Sequence, residues 1–356
     1  MNLFVADPNW GWWIILYFYL GGIAAGAFFM ATLIELFGGE EDEGLARAGY
    51  LIAFPLISLC GLFLVLDLEQ PLRFWHMLFK SEVVKEAFHE GWPWSGSSWR
   101  VMAHAPLLKY WSPMSVGSWA LLVFSLCSFL SFVSALWPDG RLSRWLHHRG
   151  IRRTLQVVGC GVGFFIAAYT GSLLSATNQP IWSDSVWIAP LFLTSAASTG
   201  IAAIILLARY RRTAAADALD RLEWANLWAL GLEAVAFAVF LGSLGALLVP
   251  TLSSWHGRVF VFGTLFLGLL MPLAVHLRLG VSGQRSAFLA ASLALVGGFL
   301  LRYGILTTPP ELLARGPAAQ AGFGPEERRP RGEGTGADPG NRPAHFQPGS
   351  KVFTDE

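Results

Sequence analysis

Asp67, Glu69 and Arg73 fall within seven positions of each other in LVLDLEQPLRFW, directly after an uncharged stretch, LIAFPLISLCGLFLVL. Carboxylates take up and release protons, and an arginine beside them holds one ionised. Glu69 and Arg73 stand four apart, the spacing of an ion pair along one helix, so an interfacial ion pair is the plain reading of those two. Pro71 between them works against that spacing by ending the helix. Other apolar runs carry further polar groups: Tyr17 in YFYLGGIAAGAF, and Tyr169 and Asn178 in YTGSLLSATNQPIW. Hydroxyl and amide donors of this kind can hold a ligand by its oxygens. Charged groups close to a membrane core are costly and mark a site or a pathway.

The elements that must position these residues are apolar. The chain is 54% hydrophobic and only 14% charged, with 16 Trp and 26 Phe in 356 residues. An ordinary soluble domain has about 25% charged residues, so this composition belongs in a bilayer. A net charge of +1 gives no basic surface for nucleic acid. The opening MNLFVADPNWGWW has no basic residue ahead of its apolar run, so a cleavable signal peptide is not expected. Cys60, Cys127 and Cys160 each sit alone, which predicts no iron–sulfur cluster and no zinc knuckle carried by this chain.

A span needs about 20 mainly apolar residues. Eight runs qualify, at 11–37, 50–68, 115–137, 155–177, 187–208, 225–249, 257–277 and 286–307, which predicts an all-α integral membrane protein with eight transmembrane helices. Gly22 and Gly26 give the small-xxx-small spacing of closely packed helices. Residues 309–356, rich in Pro, Gly and charge, read as a disordered tail or a strap on a partner. With the N-terminus outside, Arg47, Arg141, Arg144, Arg149, Arg152, Arg153, Arg209, Arg211, Arg212, Arg221, Arg278 and Arg285 fall on the inner side, while the short outer connections 178–186 and 250–256 carry no Lys or Arg; the long outer connection 69–114 carries Arg73, Lys80, Lys85, Arg100 and Lys109, and Arg258 is a minor exception. The positive-inside rule then predicts both termini outside. In that topology Tyr17, Asp67, Glu69, Arg73, the start of the third helix, Tyr169 and Asn178 all fall at the outer side.

YFYLGGIAAGAF, LVLDLEQPLRFW, SPMSVGSW, YTGSLLSATNQPIW followed by LFLTSAASTG, and GGFLLRYGIL occur in this order over residues 11–307 and resemble the NrfD/PsrC family of quinone-interacting membrane subunits. The resemblance implies two four-helix bundles, at 1–177 and 178–308, with an outer-side quinone site in the first. It implies that Tyr17, Tyr169 and Asn178 hold menaquinone or ubiquinone, and that Glu69 is the carboxylate near it, with Asp67 and Arg73 beside it. It implies a docked ferredoxin-like iron–sulfur subunit, joined in turn to a molybdopterin or multi-haem catalytic subunit, in a bacterial cytoplasmic (inner) membrane. Within the long connection 69–114, residues 81–110, with EGWPWSGSSWRVMAH, and the 309–356 tail depart from the family pattern.

None of the eight histidines lies mid-span and no helix carries a spaced pair, so no haem is expected. Electrons then exchange with another subunit. Glu233, about two turns into the sixth helix, and Arg302, in the outer part of the eighth, form a candidate proton path; a hydrogen-bonded structural acid is the plainer reading of Glu233. His276 and Glu35 read as solvated interfacial groups. Two other functions remain open: a quinol-oxidising or proton-conducting subunit of an alternative complex III-type assembly, and a secondary transporter. Helix breakers do not fall mid-span in matched halves, which weighs against the transporter.

Overall fold

In lipid every backbone N–H and C=O must be bonded inside its own segment, so long apolar runs become helices. The computed structural model describes residues 10–315 apart from 69, 80, 91–94, 96–99, 101–111, 147 and 278–283. Most of the tail expected from 309 onward lies outside the described residues. Eight helices are long and apolar enough to cross a membrane, and no strand occurs among the described residues. They are α1 (Trp12–Phe37), α2 (Glu43–Asp67), α3 (Pro113–Leu136) and α4 (Arg149–Ser175), then α5 (Ile188–Arg211), α6 (Ala216–Ser243), α7 (Trp255–His276) and α8 (Gln284–Arg315). The protein is an all-α, multi-pass membrane protein.

Several helices outrun their apolar stretches. α4 and α6 begin well before 155 and 225, because RGIRRTL and ADALDRLEW keep helical hydrogen bonding while leaving the apolar zone. α8 continues through Pro309 and Pro310, past the boundary expected near 308. Proline has no N–H, so Pro309 cannot bond the carbonyl of Ile305. The Trp182 indole N–H donates to that carbonyl instead, at 2.7 Å, and lets the helix run on.

α1 and α5 are the most enclosed of the eight. α1 packs on α2, α4 and α5 and touches α8; α5 also packs on α4, α6 and α8. The ring of neighbours is completed by α2 on α3, α3 on α4, and α7 on α6 and α8. At the α1–α5 crossing Gly26 lies against the Ala196 carbonyl, and Gly200 against the backbone of Gly26, so neither position has room for a side chain. Gly22 serves differently. The space over it is taken by the Arg302 guanidinium, with Nη2 2.5 Å from where a Cβ would stand.

Candidate functional site

α1 and α2 run antiparallel, and two contacts fix their relative height. Trp13 meets Phe63 with ring centroids 5.4 Å apart, and the Cys60 thiol donates to the Tyr17 carbonyl at 3.6 Å. Asp67 is seven residues beyond Cys60 and therefore about 10 Å nearer the helix end than Tyr17. Tyr17 is buried, and Asp67 is half-buried at the terminus of α2. On α4, Tyr169 lies six residues before the last helical residue, about 9 Å below that end. Its hydroxyl donates to the Pro113 carbonyl at 2.6 Å, and its ring lies over Gly117 and stacks on Phe165 at 5.4 Å. Tyr17 and Tyr169 are within electrostatic range of each other.

The residues expected to form one cluster thus occupy two tiers. Tyr17 and Tyr169 form the deep tier, while Asp67, Arg73 and Asn178 belong to the rim. α4 ends at Ser175, so Asn178 is not on a continuous helix with Tyr169; it is exposed in the following connection. α2 ends at Asp67, Leu68 is extended, and Pro71–Arg73 forms a separate 3-10 turn in which Arg73 is exposed. Pro71 opens a new turn instead of extending α2; Glu69, and with it the expected pairing of Glu69 with Arg73, lies outside the described residues. The short helix Trp75–Leu78 is tied back over α3 by the Trp119 indole, which donates to the Leu78 carbonyl at 2.9 Å. Ser115, in the first turn of α3 close to the Pro113–Tyr169 contact, is buried with its hydroxyl unpartnered. It is the clearest functional group that the sequence reading passed over.

A second polar cluster lies where α1, α5, α6 and α8 meet. Arg302 is 1% exposed. Its guanidinium donates to the Phe18 carbonyl at 3.1 Å, the Ser195 hydroxyl at 3.0 Å and the Gly298 carbonyl at 2.9 Å, and it sits 5.4 Å from the Phe192 ring centre. Reaching Phe18 puts the charge at the depth of Tyr17, on the adjoining face of α1. Glu233 is also buried; its carboxylate accepts from the Ser198 hydroxyl at 2.5 Å, and the Ser195 hydroxyl faces it too. Glu233 is 17 residues from the start of α6, about 25 Å along it, and not two turns in; the helix begins earlier than its apolar run. Ser195 and Ser198 were missed in the sequence because small hydroxylated residues are ordinary in membrane helices. Their one signal was their one-turn spacing in TSAASTG.

At the arginine-rich end a cavity of about 1080 Å³ opens between α5, α6, α7 and α8. Arg209 and Glu223 pair in its wall. His276 lines it as well and meets the Asn226 amide at 3.3 Å. The Asn226 carbonyl oxygen and Arg209 Nε are buried without partners. Beneath α1 and α2, at the same end, Glu35 accepts from the Tyr50 hydroxyl at 2.6 Å and pairs with Arg152. Glu35 and His276 are therefore partnered groups and not freely solvated ones. Among the described residues no three His, Cys, Asp or Glu side chains converge as a metal site.

Residues 5–310 match the family described as polysulphide reductase, NrfD. The chain is 27% identical over 319 residues to the C component of polysulfide reductase from Wolinella succinogenes, covering 83% of this chain and 93% of that protein. It is 27% identical over 327 residues to protein NrfD of Escherichia coli K12, covering 83% and 93%. A shorter likeness, 33% over 78 residues, covers 22% of this chain and 18% of a selenate reductase subunit from Mesobacillus selenatarsenatis.

Proposed function

This chain belongs to the polysulphide reductase NrfD family, and on that premise we propose that it is the quinone-reactive membrane subunit of a respiratory oxidoreductase complex. The deep tier carries the reading. Two tyrosines from different helices lie below the surface within electrostatic range of each other, and a charged rim lies above them. With the Tyr169 hydroxyl turned from the Pro113 carbonyl to the ligand, such a pair of hydroxyls fits a quinone headgroup, whose carbonyl oxygens only accept. The quinone, when bound, supplies the exchange of two electrons and two protons.

Tyr17 and Tyr169 would hold the headgroup by its oxygens. Asp67 and Glu69 would exchange protons with the outer water, Arg73 would keep the rim electrostatically balanced, and Asn178 would close its far edge. Electrons enter or leave through a ferredoxin-like iron–sulfur subunit docked over that rim, and beyond it a molybdopterin or multi-haem subunit. The two rings of packed helices support a grouping of α1–α4 and α5–α8 as four-helix bundles, with α1 and α5 along the seam. Both termini would face outside, in a bacterial cytoplasmic membrane.

Tyr169→Phe tests the site. It deletes one hydroxyl and leaves the Phe165 stack and the packing over Gly117 in place. Losing a donor to an oxygen that gains charge in a desolvated site costs about 2.7–4 kcal/mol, or up to roughly 10³-fold in rate. Quinone turnover by the assembled complex should fall towards that limit while subunit stoichiometry stays normal. Wild-type turnover in this variant would remove the deep tier from the site.

A further inference from the structure

Among the described residues Glu233 is the buried carboxylate at the heart of the second half of the molecule, and the groups around it are arranged as a file. On α6, Glu223, Asn226 and Glu233 follow at three and seven residues, so they share one face. Glu223 stands in the wall of the cavity at the arginine-rich end. Asn226 is fully buried behind His276, a residue of the cavity lining, donating towards its ring and leaving a carbonyl oxygen with no protein partner. Leu230, buried on the same face, stands between Asn226 and Glu233, which lie about 10 Å apart along the helix, so a proton passing from one to the other has to be carried by water admitted past that side chain. Beyond Glu233 the contacts are continuous. Ser198 donates to the carboxylate, Ser195 faces it and accepts from Arg302, and Arg302 binds the Phe18 carbonyl, one residue from Tyr17.

We propose that Glu233 is a proton-loading carboxyl served from the arginine-rich end of the helices through the Glu223–His276–Asn226 cavity, and that Ser198, Ser195 and Arg302 link it to the wall of α1 beside Tyr17. The charged surroundings suit this task. α5 carries no titratable side chain between Ile188 and Arg209, and α7 none between Arg258 and His276, so Arg302 on α8 is the charge that faces Glu233. Tyr19 on α1 faces Arg302 in turn. Arg302 is held by Ser195 and two carbonyls, and no direct ion pair with Glu233 forms among the described contacts. The carboxyl can therefore gain a proton from cavity water and lose it again without breaking a salt bridge. Only the use of that proton, in quinone chemistry on the adjoining face of α1, rests on the function proposed above.

The test reads protonation of Glu233 directly and involves no quinone turnover, so its failure is separable from failure of the quinone site. Membrane vesicles of both orientations, holding the full complex, are buffered inside and outside at independent pH. Dicyclohexylcarbodiimide, an apolar reagent that couples to protonated carboxyls, is added, and the adduct on the Glu233 peptide is quantified by mass. The adduct should respond to pH on the arginine-rich side only, falling by up to about tenfold per unit where the carboxyl is mostly ionised. It should be absent in Glu233→Gln. In Asn226→Leu, which fills the same volume without the amide, the adduct should cease to follow that side. Labelling governed by the opposite side, labelling indifferent to both, no adduct at Glu233, or an unchanged response in Asn226→Leu would each overturn the proposal.

Discussion

Arg302 shows how much one residue has to be given before a charge can stand inside a membrane. An unpaired charge there costs several kcal/mol after relaxation. The protein meets that cost with two backbone carbonyls, one hydroxyl and the face of Phe192, and Gly22 makes the room. Lysine cannot replace it: one ammonium on a shorter reach does not serve three acceptors set around a planar fork. Hydrogen bonds to charged groups are worth about 1.5–3 kcal/mol each, so Arg302→Lys should lower stability by roughly that amount, read as a drop in the melting temperature of the detergent-solubilised protein. An unchanged melting temperature would mean the three bonds do not matter to the fold. Arg302 and Glu233 were legible in the sequence because a charge in an apolar run has no ordinary explanation. Their partners were not legible. Ser195, Ser198 and Ser115 look like any small residue in a helix, and two of the acceptors of Arg302 are backbone carbonyls, which no sequence marks.

At the scale of elements, the number of spans could be read from hydropathy, since bilayer thickness sets how long an apolar run must be. Their ends could not, because a helix stops where its hydrogen bonding stops and not where its apolarity does. α8 is the sharpest case. Two successive prolines argue for termination, and the helix passes both because a tryptophan 123 residues earlier serves the orphaned Ile305 carbonyl. Trp182→Phe keeps an aromatic ring against Trp10, which it now stacks on at 5.1 Å, but removes the N–H. A buried carbonyl left unpaired costs about 1–3 kcal/mol. The variant should lose that much stability and show faster amide hydrogen exchange over residues 305–312 than elsewhere in α8. Exchange unchanged there would show that the helix passes its prolines unaided. The end of α2 is the exception and was legible, because the apolar run stops near 68 and Pro71 cannot extend the helix. Pro71 begins a separate turn instead.

Over the whole molecule the two ends of the helices differ in kind. One end carries the arginines of three connections, with Arg144, Arg211 and Arg212 exposed and Arg152, Arg209 and Arg221 held by Glu35, Glu223 and the Glu41–Asp42 pair. The other end carries the rim of Asp67, Arg73 and Asn178 over the two tyrosines. In the proposed function an iron–sulfur partner would dock over the rim, within electron-transfer reach of the deep tier, so the side of the membrane that the rim faces sets where the partner would bind. By the positive-inside rule the expected place of the arginine-rich end is the cytoplasm. Exposed positions are available to check this: Arg144 and Arg212 at that end, Asp184 at the other. Cys60 and Cys127 are buried and silent, and replacing the half-buried Cys160 by serine gives a clean background. In that background a membrane-impermeant maleimide should reach Asp184→Cys in intact spheroplasts. It should reach Arg144→Cys and Arg212→Cys only after the membrane is opened. The reverse pattern would turn the molecule over, put the Glu233 cavity on the outside, and move the partner docking surface to the cytoplasmic face.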